Sequence, residues 1–173
     1  FEFEITEHTL MQEPLVGIQT VDYLKAKGFR ILIDDFGVSY SSLNYLKLFD
    51  IDGIKIDRSF ISQLDKENGL KEYEIVKLIV SLAKKLDLEV TAEGVETEAQ
   101  YHVVERLGCD EVQGFFFSRP LPLSELQTAL DTLEHQYAAL RHGLSGRQQA
   151  FTSLHENETE RLKAILRLEI LHS

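Results

Sequence analysis

Six residues able to hold cations or orient water stand near the ends of short, apolar-rich segments: Glu4, the pair Asp34-Asp35, Lys55, Glu93 and Gln113. Taken singly, each has an ordinary use. Asp35 opens an Asp-Phe-Gly stretch suited to a turn, and Glu93 stands where a helix dipole favours an acid. Glu4 fits an exposed strand position, and Lys55 has Asp34 or Asp57 as ion-pair partners. Their recurrence at successive segment ends points instead to one shared site. Carboxylates brought together repel and raise one another's pKa unless cations neutralise them. Hard divalent ions such as Mg²⁺ meet that need, because they take oxygen ligands and keep waters for phosphate substrates. An adjacent pair such as Asp34-Asp35 can serve two ions roughly 3.5–4 Å apart, the spacing used for in-line displacement at phosphorus. A lysine in that setting orients a water or neutralises charge developing on phosphoryl oxygens.

The segments that must position these residues alternate strand and helix. Phe1–Glu7 alternates apolar and polar residues, as a strand does. Pro14–Lys27 carries Leu15, Ile18, Val21 and Leu24 at helical spacing and is closed by Gly28. Phe29–Asp34 reads as strand, Ser42–Leu48 as a short helix and Gly53–Asp57 as strand. Leu70–Leu86 is a long helix with Ile75, Leu78, Ile79, Leu82 and Leu86 on its apolar side. Glu89–Glu93 is strand, Glu96–Leu107 a helix ended by Gly108, Glu111–Phe117 strand, and Ser124–Leu133 opens a further helix. This alternation requires a parallel sheet. An open doubly wound sheet and a TIM-type barrel both satisfy it. The polar strand ends and the lack of a Gly-rich phosphate loop favour the barrel. About five βα units do not close eight strands, so the expected fold is α/β, a partial TIM-type barrel.

The 173 residues include 18 Lys+Arg against 29 Asp+Glu, a net charge of −11. Residues 134–173 hold five bases and five acids, which leaves 13 bases and 24 acids, and so the whole −11, in residues 1–133. Such an acidic body argues against tracking a nucleic-acid polymer. No apolar run approaches the ~20 residues of a membrane span. A lone Cys109 fits a reducing cytosol and reads as a buried structural thiol. The six histidines show no ligand spacing and are expected on the surface. The chain opens Phe-Glu-Phe-Glu, already in a strand pattern, and so reads as a partial sequence. The barrel segment is expected over 1–133, a polar linker with Gly143 and Gly146 over 134–154, and a helical extension over 155–173.

The stretches FEITEH, ILIDDFGVSYSSLNYL, IDGIKIDRSFI, VTAEGVET and GCDEVQGFFFSRPLP resemble, in order and spacing, the EAL-domain phosphodiesterases over about residues 1–133. That family hydrolyses cyclic di-GMP to linear pGpG on a modified TIM barrel with Mg²⁺ or Mn²⁺. The resemblance implies that Glu4 ligates one metal, that Asp34 lies between two, and that Asp35 and Glu93 serve the second. It implies that Lys55 holds the water nucleophile, with Glu93 and Gln113 beside it in catalysis, and that Glu7 anchors the loop after Asp35. It also implies a cytoplasmic signalling protein, a homodimer in the parent, with a fused sensor or cyclase domain. The segment NETERLKAILRLEILHS is similar to the helix that opens GAF-type sensors. The family's Glu-Ala-Leu motif and an asparagine, both first-metal ligands, have no counterpart in this chain, so the fragment alone is expected to be inactive. The family usually has Thr-Gly or Ala-Gly where this chain has Val38 and Ser39. That departure keeps open a second expectation, a degenerate domain acting as a cyclic di-GMP receptor or protein-interaction module.

Overall fold

A computed structural model describes residues 1–38 and 46–133, in two units divided after Phe116. The first unit is a five-stranded parallel sheet in the order β1-β2-β3-β4-β5: Glu2–Thr6, Arg30–Phe36, Gly53–Ile56, Glu89–Glu93 and Glu111–Gln113. Its helices are α1 (Glu7–Gln12), α2 (Pro14–Ala26), α3 (Arg58–Ile61), α4 (Leu70–Lys85) and α5 (Glu98–Leu107). In the second unit a 3₁₀ turn at Leu123–Glu125 leads into helix over 126–133. The linker and C-terminal helix expected beyond Leu133, and most of the short helix expected over 42–48, lie outside the described residues.

Sequential strand order has no reversal point. A doubly wound sheet must reverse, whereas a barrel simply continues. Register then sorts the side chains. Glu4 pairs with Leu32, Leu32 with Gly53, Lys55 with Thr91, and Glu93 with Gln113. Paired residues share a face and alternate residues return to it. Glu4, Asp34, Lys55, Glu93 and Gln113 therefore all project from one face. The opposite face carries Ile31, Ile33, Ile54, Ile56, Val90 and Ala92, each nearly or fully buried, with α2 against β2 and α4 against β3 and β4. Near the N-terminal ends of the strands, Arg30 on the polar face pairs with Glu2 and, across β3, with Glu89. Gly53 lies between the strands these residues occupy, and a Cβ there would stand 2.7 Å from Leu32 and 2.8 Å from the Glu89 carbonyl oxygen.

At the same end of the sheet a clasp occurs twice. Asp52 accepts the Ile31 N–H (2.7 Å) and pairs with Lys25 (2.6 Å), and its own N–H donates to the Ile31 carbonyl (2.8 Å). Asp110 does the same with Val90 and Lys84. In each case the acid before a strand satisfies the neighbouring strand's entry and the last turns of a helix.

Several expected boundaries shift. Thr6 caps a new helix, its hydroxyl accepting the Thr9 N–H, so Glu7 begins α1 rather than ending β1. Asp57 caps α3 in the same manner through Ser59, ending β3 one residue early. β2 runs on to Phe36, and β5 stops at Gln113 because Gly114 turns the chain against Val95, which bonds to Gln113 and Phe116. On α4 the buried residues are Val76, Ile79, Val80 and Ala83, while Ile75 and Leu78 face outward. The small Ala83 admits the sheet closely, a role that a search for large apolar residues overlooks. On α2 Val21 is fully buried but Leu15 is exposed.

Candidate active site

The polar face converges on Lys55. Its strand, β3, is buried throughout, and the side chain is only 5% exposed. Its Nζ lies 2.8 Å from Glu4 Oε1, 2.7 Å from Glu93 Oε1 and 3.7 Å from Asp34 Oδ1. Burial alone would lower the pKa of this amine, but the Glu93 and Glu4 carboxylates outweigh it and raise the value above the ordinary lysine range. Lys55 is thus a fixed positive charge at neutral pH. Of the two ion-pair partners open to it from sequence, it meets Asp34.

A β-bulge explains how two consecutive aspartates reach one site. Ile33 pairs with Ile54 and Phe36 with Ile56, so β2 takes three steps where β3 takes two. Asp35 absorbs the extra step with φ 54°, and its N–H donates to Asp34 Oδ1 at 3.0 Å. Aspartate tolerates this left-handed backbone better than most residues. The bulge keeps Asp34 on the polar face and returns Phe36 to the apolar one, where it is buried. Asp35 is left exposed at the strand end. Oxygens of Asp34, Asp35 and Glu93 lie within 4.8 Å of one another.

Partial loss of hydration, then the neighbouring Asp34 and Asp57 carboxylates, raises the pKa of the exposed Asp35. Burial raises that of Glu93 too, Lys55 opposes it, and Asp34 and Glu4 restore the upward direction. Four carboxylates around one ammonium are in excess, and the excess consists of hard oxygen donors. That donor set fits a divalent cation of the Mg²⁺ class and offers nothing to a soft metal. The three-carboxylate cluster is Asp34, Asp35 and Glu93. Glu4 stands apart from it, joined through Lys55.

Gln113 is half-buried beside Glu93 in register. Glu7 is wholly buried, and its Oε2 accepts the Gly37 N–H at 3.1 Å, holding the start of the loop after Asp35. Val38 is exposed, its N–H directed to the Asp35 carbonyl, while Ser39 lies outside the described residues. Cys109 is half-buried, its thiol pushed up to about 12 by burial and by Asp110. His8 is exposed and His102 half-buried beside Glu98 and Glu105, and neither belongs to the Asp34–Asp35–Glu93 cluster. Sequence reasoning missed the Thr97–Gln100 capping box at α5, although the T-x-x-Q spacing after Glu93 could have revealed it.

A parallel β/α sheet with an acidic, lysine-centred group at the C-terminal ends of its strands is a barrel-type segment that carries its polar cluster where barrel enzymes place their chemistry. Residues 1–120 match the EAL domain family, and the chain belongs to it. It is 45% identical over 123 residues to the bifunctional diguanylate cyclase/cyclic di-GMP phosphodiesterase MucR of Pseudomonas aeruginosa, covering 71% of this chain and 18% of that protein. With the cyclic di-GMP phosphodiesterase NbdA of the same organism it shares 43% over 129 residues, 75% of this chain and 16% of NbdA. Among solved structures, the PaMucR phosphodiesterase in complex with c-di-GMP superimposes with a TM-score of 0.69 at 44% identity, covering 72% of this chain and 50% of that one. The chain therefore spans less than a fifth of the length of these curated relatives and half of the solved chain.

Proposed function

We propose that this chain forms part of the active site of a metal-dependent phosphodiesterase that hydrolyses cyclic di-GMP to linear pGpG, acting in the cytosol within a larger signalling protein. The observation that carries the reading is the buried Lys55 amine bonded to Glu4 and Glu93 beside the Asp34–Asp35–Glu93 cluster. The named activities and the c-di-GMP complex of its relatives support it. Asp34, Asp35 and Glu93, with Glu4 across Lys55, would hold Mg²⁺ or Mn²⁺. Such ions, when bound, neutralise phosphate charge and lower the pKa of a water.

The chain's own residues account for the rest. Lys55 Nζ, held by two carboxylates, presents its remaining proton toward Asp34 and can donate it to a water or to a phosphoryl oxygen gaining charge. Preorganisation makes that donation effective, because no side chain need move as charge develops. Gln113, at the same level as Glu93, can orient the same water through its amide. Glu7 keeps the turn after Asp35 in place through Gly37.

The test is hydrolysis of cyclic di-GMP by the full-length protein under a Mg²⁺ titration, with pGpG resolved by chromatography. Asp34→Asn should weaken metal binding and the rate together, since Asp34 belongs to the ligand cluster. Tight cyclic di-GMP binding with no turnover at saturating metal would refute the enzyme reading and favour a receptor.

A further inference from the structure

Glu93 ends β4, and the chain must pass from there through Gly94–Thr97 into α5. A ring of hydrogen bonds fixes this passage. The Gln100 side-chain oxygen accepts the Glu96 N–H (2.8 Å) and the Thr97 N–H (3.2 Å), and the Thr97 hydroxyl accepts the Gln100 N–H (3.2 Å). Those bonds suffice to cap the helix. Two more are not needed for capping. The Gln100 amide donates to Asp65 Oδ1 (3.2 Å), and the Thr97 hydroxyl donates to Asp65 Oδ2 (3.1 Å).

Asp65 comes from the connection between α3 and α4, 32 and 35 residues away in sequence from its two partners. Gln100 is 3% exposed and the Asp65 side chain 15%. Placing a carboxylate there costs solvation that a cap alone would not require. A second contact ties the passage after Glu93 to the first residue of α3, the helix through which the chain runs from β3 to Asp65: Gly94 adopts φ 68°, and a Cβ on it would come within 2.4 Å of the Arg58 Cβ. One connection follows the strand that carries Lys55, and the other follows Glu93. The Lys55–Glu93 bond at 2.7 Å spans the strands beneath them.

We propose that Asp65 and Gln100 are positioning residues for the reaction: together they fix the turn after Glu93, so that its carboxylate faces Lys55 and the Asp34–Asp35 pair at once. The inference rests on the phosphodiesterase reading, with Glu93 as a metal ligand. A misplacement of about 1 Å at a reacting group can cost on the order of a hundredfold in rate, so even a small shift of this turn should be measurable.

The experiment uses the full-length protein. Gln100→Glu retains the acceptor for the two backbone N–H groups but sets a second carboxylate against Asp65. Adding Asp65→Asn removes that repulsion and reverses donor and acceptor: the new amide group donates to the introduced carboxylate, while its oxygen still accepts from the Thr97 hydroxyl. Gln100→Glu should lower kcat at saturating Mg²⁺ at least about tenfold and raise the Mn²⁺ midpoint, read by electron paramagnetic resonance, by a similar factor. The double variant should recover both to within about threefold. Thr97→Val, which removes only the hydroxyl, gives a milder change in the same direction and serves if Gln100→Glu does not fold. Unchanged kcat and Mn²⁺ midpoint per folded molecule, or a loss that Asp65→Asn does not rescue, would overturn the proposal. A wild-type protein that binds Mn²⁺ without hydrolysing cyclic di-GMP would refute the enzyme reading alone, because the Mn²⁺ midpoints would still report on the ring.

Discussion

Replacing Lys55 by methionine keeps an unbranched side chain as far as Cε and removes the charged nitrogen. Three carboxylates, Glu4, Asp34 and Glu93, then face one another with no ammonium among them. Breaking a fully buried ion pair costs about 3–5 kcal/mol. Glu4 is 44% exposed and Asp34 25%, so water still reaches both. That lowers the expected loss for the metal-free protein to about 2 kcal/mol. The effect on rate is separate. A preorganised donor that acts where charge develops contributes roughly 10²–10³ in kcat, and Lys55 is not itself a ligand. Lys55→Met should therefore lose kcat by about that factor at saturating Mg²⁺ while KM changes little. Mg²⁺ should also raise the melting temperature of the variant by more than that of the wild type, since the cation replaces the missing positive charge. Steady-state kinetics and calorimetry with and without Mg²⁺ read both quantities. An unchanged kcat would remove Lys55 from the chemistry, and an unchanged metal-free stability would show that the carboxylates do not depend on it.

Three further outcomes follow from groups outside the cluster. Asp52→Ala leaves the Ile31 N–H and Lys25 without their acceptor, so urea unfolding should show a loss of about 1–3 kcal/mol with kcat per folded molecule unchanged. Burial would raise the Asp65 pKa, but bonds from Gln100 and Thr97 hold it below the ordinary 3.8. Its contribution to stability is therefore full above 3.8 and is lost as pH falls through the lowered value, and Asp65→Asn should flatten the acid unfolding profile in that range. With its thiol pushed up to about 12 from the ordinary 9.0, Cys109 should be alkylated by iodoacetamide at pH 8 at least about tenfold more slowly than a free cysteine, as mass spectrometry of the native protein would show.

Much of the sheet was legible because its two faces have opposite chemistry. Strands such as ILIDD and GIKI turn isoleucines to the helices at alternate positions and bring one polar residue, Asp34 or Lys55, to the other face near the strand end, and that pattern survives in the sequence. Lys55 and Glu93 could be found for the same reason, since each breaks an apolar strand near its end. The features that could not be read depend on geometry without a periodic signal. One inserted residue at Asp35 creates the bulge, and no residue type announces it. The short helices α1 and α3 are capped by Thr6 and Asp57, ordinary strand-end residues until their side chains are seen to accept N–H groups. The buried side of α4 is one position away from the expected stripe because sheet proximity selects Ala83 over Leu82. Asp65 was invisible because its partners lie more than thirty residues along the chain.

The two ends of the sheet divide stability from chemistry. At the strand entries, Asp52 and Asp110 each satisfy a backbone N–H and a lysine, and Arg30 bridges Glu2 and Glu89, so nearly every charge there has a partner. At the strand exits the balance is reversed. One ammonium serves Glu4, Asp34 and Glu93, and Asp35 stands beside them in a left-handed conformation. A fold selected for stability alone would neutralise that end as it neutralises the other. The register permits it, because the same polar face runs through both. That excess of negative charge is tolerable in a barrel whose opposite end is clasped, and it is the condition under which a divalent cation binds strongly: the ion relieves repulsion that folding has left in place. The fold does not merely carry the site. Its charges are matched at the strand entries and left in excess at the exits, where the proposed metal site lies.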